Sequence, residues 1–147
     1  MTKTKEKNYA FDIYVVGRAL IKNKDKYLLL KRDAKESYGG QWELPGGKLE
    51  TLERIKMGVI REIFEETSLV IEISTNNAHV SSYLAKEGGH AGSTYTNIIY
   101  VDTKIVAGKL KTKSEHQAFG WFTKKEIFNL DLTHYTEMPL TETLLPR

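Results

Sequence analysis

Residues 46–69 read GGKLETLERIKMGVIREIFEETSL, two glycines leading into a helix-length segment that carries five glutamates. Glu62, Glu65 and Glu66 stand three and four residues apart, and a helix turning about 100° per residue puts all three carboxylates on one face. Like charges at that spacing cost roughly a few tenths of a kcal/mol per pair, and they sit badly near a helix C-terminus, whose dipole favours cations. Something positive must offset this. A hard divalent cation such as Mg²⁺ takes oxygen ligands and bridges protein carboxylates to substrate phosphates. The other reading is a solvated acidic face paired with Arg61 or nearby lysines. Spacing alone leaves both open.

The order of residues goes further. Five residues separate Gly47 from Glu53, seven more separate Glu53 from Arg61, and Arg61-Glu62-Ile63-Phe64-Glu65-Glu66-Thr67-Ser68-Leu69 follows without a gap. This resembles the Nudix box, G-x5-E-x7-R-E-U-x-E-E-x-G-U with U a bulky aliphatic, at every specified position except Ser68, where the box has glycine. A glycine just past a helix end adopts the left-handed conformation, which costs an L-residue roughly 1–2 kcal/mol. Ser68 is therefore expected to strain that corner or to let the helix end differently, without removing a carboxylate. Gly58 in mid-helix is about 1 kcal/mol less favourable than Ala, and close packing of the helix on a sheet is the expected reason.

The resemblance implies a fold, a reaction and a set of roles. Family members hydrolyse a nucleoside diphosphate linked to another group, with water attacking phosphorus assisted by a divalent metal, here Mg²⁺ with Mn²⁺ as a substitute. Glu62 and Glu66 would be the principal metal ligands, Glu65 would complete the shell directly or through water, and the Gly46 carbonyl would be a further ligand. Arg61 would orient a carboxylate by a charge-assisted hydrogen bond, and Glu53 would hold loop and helix together through Arg61. Arg61 is equally well placed as an i to i+4 partner of Glu65. Downstream, Glu115-His116-Gln117-Ala118-Phe119-Gly120-Trp121 resembles the E-x-Q-x-x-x-W segment of MutT-like members, which makes Glu115 a further metal ligand or the base; whether Glu62 or Glu115 is the base varies between members. Arg32, at the entry to the site loop, is the candidate phosphate contact, or else an ordinary surface arginine.

The substrate implied is a nucleoside triphosphate or related nucleotide. The asparagine that reads oxidised guanine in MutT has no counterpart where Glu137-Met138-Pro139 stands. No proline lies between Pro45 and Pro139, which argues against an ADP-ribose hydrolase. Dinucleoside polyphosphates and capped RNA ends stay open, as does a non-catalytic nucleotide-binding module. A Nudix-fold isoprenoid diphosphate isomerase would need an active-site cysteine, and the chain has none.

The 147 residues suffice for one domain with a real core, so a single domain over 1–147 with a mobile arm at residues 1–8 is expected. A net charge of +3 with scattered lysines suits a small phosphate-bearing ligand and argues against duplex nucleic acid as a partner. The absence of cysteine removes disulfides, thiol nucleophiles and cysteine zinc sites. No apolar run approaches the roughly 18 residues of a membrane span, and Met1 to Ala10 lacks a leader's apolar segment, so no membrane association and a cytoplasmic location are expected. A homodimer is compatible with all of this.

Along the chain, Phe11 to Ile21 and Tyr27 to Lys31 read as a hairpin around Asn23-Lys24-Asp25-Lys26. Gln41 to Leu44 reads as a short strand stopped by Pro45, after which Gly46-Gly47 lets the backbone approach a ligand closely, or Pro45-Gly46-Gly47 is simply a tight turn. The helix is expected over 54–67, with Glu53 as its cap because Arg54 is a poor one. Leu69 to Ile73 and His79 to Ala85 read as two strands or one bent strand, Lys86 to Thr94 as a flexible rim loop, and Tyr95 to Ile105 and Gln117 to Phe122 as strands. Thr123-Lys124-Lys125-Glu126 is a capping box opening a helix through about Leu130, and the tail has helical potential at 140–145. His79, His90, His116 and His134 show no paired metal spacing. Trp42, Trp121, Tyr83 and Phe119 either stack on a base or fill the core. Strands flanking one central helix, with a second helix late in the chain, give α+β, an αβα sandwich around a mixed sheet as in the Nudix fold.

Overall fold

Tyr27-Leu28-Leu29-Leu30 is an unbroken apolar run, and all four side chains are buried. Successive side chains of a strand point to opposite faces, so such a run needs a core on each side of the sheet. The computed structural model, which describes residues 13–113 and 115–145, supplies both. Leu28 and Leu30 join Ala19, Ile21, Val59, Ile63 and Ile71 on one face. Tyr27 and Leu29 join Leu20, Leu44, Ile127, Leu140 and Leu144 on the other.

The elements in order are β1 (Ile13–Asn23), β2 (Lys26–Arg32), β3 (Trp42–Glu43), β4 (Gly46–Lys48), α1 (Ile55–Thr67), β5 (Leu69–Ile73), β6 (Ala78–Leu84), β7 (Thr94–Gly108), β8 (His116–Phe122), α2 (Lys124–Ile127) and α3 (His134–Leu144). The eight strands form one mixed sheet along the path β3-β2-β1-β7-β5, with β4 also paired to β1, β6 to β7 and β8 to β2. Among the described strands only β1 and β7 pair in parallel. Helix α1 covers one face, α2 and α3 the other, which is the expected α+β sandwich.

Several local expectations change. Gly46-Gly47 is not a turn but the start of β4, laid antiparallel on β1 with Arg18 opposite Gly46 and Gly17 opposite Gly47. Gly46 has φ +145°, and a Cβ there would strike the Gly17 carbonyl and Arg18, so glycine lets two backbones close. Gly58 is needed for contact with a loop rather than the sheet: a Cβ would lie 2.7 Å from Glu53 Oε1 and 2.8 Å from Leu49 Cδ2. The N-cap of α1 is Arg54 with no side-chain cap, because the Glu53 carboxylate is turned to Arg61 and to the Glu50 amide. Ser68 takes the left-handed conformation, φ 65°, and its amide donates to the Phe64 carbonyl. Residues 69–73 and 78–84 are two strands. The Thr123 capping box forms, but α2 lasts one turn. Phe11 and the arm at residues 1–8 lie outside the described residues.

The tail differs most. Helix α3 begins at His134 and continues through Pro139. Proline lacks the N–H that would bond the carbonyl four residues back, here that of Tyr135. Buried Asn97 donates its Nδ2 to that carbonyl at 3.0 Å, so the helix continues and Tyr135 is fixed against the sheet.

Candidate active site

Along the edge where β1, β4 and α1 meet β6 and the loops after β2, β6 and β7, a cleft of about 540 Å³ opens. Gly46, Glu62, Glu65, Glu66, Glu115 and Arg32 all line it. Arg61 and Glu53 stand behind it. Arg61 Nε and Nη2 bond the two Glu53 oxygens at 2.6 and 2.9 Å, and Nη1 reaches Glu62 Oε1 at 3.1 Å and Glu65 Oε1 at 3.0 Å. One guanidinium therefore holds the loop before α1 and two of its acidic side chains, serving both the bracing and the i to i+4 reading. The Arg61 fork and the Glu50 amide hold Glu53 at about 2.

Burial pushes the half-buried Glu62 carboxyl above its ordinary range, against the pull of Arg61. Its carboxylate lies against Gly47, where a Cβ would overlap it. Glu66 is more enclosed, and its Oε1 accepts the Gly46 amide at 2.7 Å. Burial first, and the neighbouring Glu43 charge second, push it well above the usual carboxylate range. The helix face and β4 are thus joined by a hydrogen bond from a main-chain amide to a carboxylate oxygen.

Beneath Glu66 lies a buried group that the sequence reading missed. Glu43, 2% exposed, takes a hydrogen bond from Arg32 Nη1 at 2.9 Å, another from His116 Nε2 at 2.7 Å and a third from the Tyr135 hydroxyl, with Arg18 Nη1 at 3.6 Å. Burial alone would raise its pKa. The His116 hydrogen bond and the charges of Arg18 and Arg32 outweigh burial and hold it at about 2. His116 Nδ1 faces Glu66 Oε2 at 3.6 Å and is buried without a hydrogen-bond partner. Arg32, the candidate phosphate contact, lines the cleft but spends Nε on the Ser37 carbonyl at 2.6 Å and Nη1 on Glu43.

The aromatic residues divide between core and cleft. Trp42 and Trp121 pack against the two cores, Phe119 is 44% exposed, and only Tyr83 of the four lines the cleft, with Tyr38, Tyr95 and Tyr135. Tyr83 is sandwiched, stacked on Tyr95 at 5.2 Å and on Tyr135 at 4.9 Å. Both its faces are covered by other tyrosines, so it offers the cleft a ring edge and a hydroxyl rather than a stacking face.

Whether this donor set fits a divalent ion can be judged from its chemistry. Glu43, Glu66 and His116 bring ligand atoms within 4.8 Å of one another, but Glu43 is already neutralised by two arginines, which a cation there would have to displace. Glu62, Glu65, Glu66 and Glu115 all line the open cleft; Glu62 and Glu65 share a single guanidinium, that of Arg61, burial raises Glu62 and Glu66, and oxygen-only donors suit a hard cation.

A NUDIX domain profile matches residues 13–142. The chain is 31% identical over 117 residues to the uncharacterized Nudix hydrolase YvcI of Bacillus subtilis, spanning 80% of this chain and 70% of that one. It is 30% identical over 133 residues to the CTP pyrophosphohydrolase of Escherichia coli K12, spanning 88% of this chain and 90% of that one. Among solved structures, the MutT NUDIX hydrolase from Burkholderia pseudomallei superposes with a TM-score of 0.75 at 28% identity, covering 91% of this chain and 99% of that chain. No helix among the described residues is long and apolar enough to cross a membrane.

Proposed function

The chain belongs to the Nudix hydrolase family, and from that premise we propose that it is a Mg²⁺-dependent pyrophosphohydrolase of nucleoside triphosphates or closely related nucleotides. The observation that carries this reading is that Glu62, Glu65, Glu66 and Glu115 line one cleft together with four tyrosines. A bound divalent ion would neutralise diphosphate oxygens and acidify water. In the proposed reaction a water oxygen bonds to one phosphorus as the bridging P–O bond breaks, releasing nucleoside monophosphate and pyrophosphate from a triphosphate. The water proton passes to Glu115 or Glu62. Glu62, Glu65 and Glu66 would hold the metal, with the Gly46 carbonyl and Glu115 as further ligands. Arg61, anchored by Glu53, keeps Glu62 and Glu65 turned toward the cleft. Arg32 braces the floor through Glu43 and, lining the cleft, is the phosphate contact of this reading. Mn²⁺ would substitute on the same oxygen donors.

The test is a panel of nucleotides, ribo- and deoxyribonucleoside triphosphates with CTP first, then dinucleoside polyphosphates and capped RNA, assayed in Mg²⁺ and scored by product mass. Glu62→Gln and Glu66→Gln should each lower turnover by about two orders of magnitude or more with the fold intact. Turnover that survives excess chelator, or that both variants retain, would overturn the proposal.

A further inference from the structure

Two loops that share the cleft rim are joined through one side chain. Ser37 and Tyr38 from the segment after β2, and Glu87, Gly88, Gly89 and His90 from the segment after β6, line the cleft together. Tyr38 is a buried tyrosine with φ 58°, a backbone conformation that an L side chain keeps only where its surroundings impose it. Its hydroxyl accepts the Lys86 amide at 2.7 Å and the Glu87 amide at 3.3 Å, and faces His134 Nε2 at 3.3 Å. In return its own amide donates to Glu87 Oε1 at 2.8 Å. A hydroxyl has two lone pairs and one proton, so two amides on the pairs leave the proton for His134, and the group is fully used. The ring stands edge-on to Tyr135 at 5.2 Å, the residue whose hydroxyl bonds Glu43. Arg32 continues the path, bonding the Ser37 carbonyl and Glu43.

The far end of the loop so held is closed by its own main chain, the Gly92 amide bonding the Ala85 carbonyl at 2.9 Å and the Ser93 amide the His90 carbonyl at 3.0 Å, but residues 86–94 include three glycines, two of them at positive φ, and glycine gives up more chain entropy on ordering than any other residue. We propose that Tyr38 is a positioning residue for substrate: it clasps the 86–90 loop into the shape in which Glu87 to His90 line the cleft, and so sets nucleotide affinity without touching the reacting atoms. This rests on the reading that the cleft binds a nucleotide.

The test uses the full chain with Tyr38→Phe, which keeps the ring and removes the oxygen. Amide hydrogen exchange should show protection lost at Lys86 and Glu87, and KM for the best nucleotide of the panel should rise about tenfold or more while kcat stays within about twofold. Glu87→Ala, which opens the clasp from the other side and leaves the buried ring alone, should raise KM likewise and deprotect the Tyr38 amide, with Glu87→Gln restoring affinity because it keeps an acceptor oxygen. An unchanged KM in Tyr38→Phe, a loss confined to kcat, or exchange at Lys86 and Glu87 equal to wild type overturns the proposal; should Tyr38→Phe not fold, the Glu87 pair decides by the same criteria. A wild-type protein that turns over nothing in the panel defeats the hydrolase reading instead, and the exchange measurement still decides whether the clasp exists.

Discussion

Glu43 and Glu66 lie on opposite sides of one buried imidazole, 2.7 Å from His116 Nε2 and 3.6 Å from His116 Nδ1, yet their protonation is pushed in opposite directions. Glu43 is surrounded by hydrogen-bond donors and two arginines and is held at about 2. Glu66 has one amide donor and a carboxylate neighbour, and burial pushes it well up. The floor thus holds a carboxylate that its partners keep ionised at neutral pH, beside one that burial pushes toward its neutral form.

Glu43→Gln follows from this directly. It keeps the shape but leaves Arg18, 6% exposed, and Arg32 without their shared anion, so unfolding free energy should fall by about 3–5 kcal/mol, measured by urea denaturation at pH 7. The pH dependence has a definite sign. Because the folded-state pKa of about 2 lies below the ordinary 4.5, the stabilisation from Glu43 is complete above about pH 4.5 and is lost as pH falls toward 2. Between those limits the wild-type curve should drop more steeply than that of Glu43→Gln.

Arg61→Lys tests the brace behind the cleft. Lysine cannot reproduce the fork that spans both Glu53 oxygens while reaching Glu62 and Glu65. Turnover should fall about tenfold to a hundredfold, with a stability change of about 1 kcal/mol, since the group is partly solvated. Glu53→Gln should act in the same direction, and the double variant should lose less than the product of the two, because both remove one unit. Steady-state kinetics on the four proteins decides it.

How legible these groups were in the chain depends on how far apart they are. Glu62, Glu65, Glu66 and their Arg61–Glu53 brace could be read because helical periodicity and a loop of a few residues bring them together. Glu43 and His116 could not, since β2 joins them: Leu30 pairs with Glu43 on one side and Arg32 with His116 on the other, and the sequence carries no local mark of that ladder. His116 stands inside the E-x-Q-x-x-x-W segment, but without a second histidine at metal spacing nothing local marks it as part of the site. The tail helix was under-read because Pro139 signals a stop, and its rescue by Asn97 comes from another strand. Gly46-Gly47 has the composition of a turn, and only the closeness of β1 makes it a strand.

Neighbouring glycines of β4 should separate fold from chemistry. At Gly46 a Cβ meets the main chain of β1 at a φ of +145°, so Gly46→Ala should cost about 2 kcal/mol or more, seen as a lowered thermal midpoint. At Gly47 the obstacle is the Glu62 carboxylate, a flexible side chain. Gly47→Ala should therefore fold with a loss of about 1 kcal/mol or less and reduce turnover about tenfold, with a higher Mg²⁺ requirement in a metal titration. Equal stability losses in the two variants would mean that Gly47 is constrained by backbone instead.

Ser68→Gly addresses the single position at which the box departs from pattern. Ser68 closes α1 in the left-handed region, φ 65°, with its amide on the Phe64 carbonyl, a conformation that costs an L-residue roughly 1–2 kcal/mol and glycine almost nothing. Glycine is freer in the unfolded chain, which returns up to about 1 kcal/mol, so the net gain should be about 0.5–1 kcal/mol. The corner is followed by Leu69, buried at the start of β5, and neither residue lines the cleft, so kcat and KM should stay at wild-type values while the thermal midpoint rises by a few degrees. A gain in turnover without a gain in stability would instead tie the angle at which α1 ends to the placing of Glu65 and Glu66.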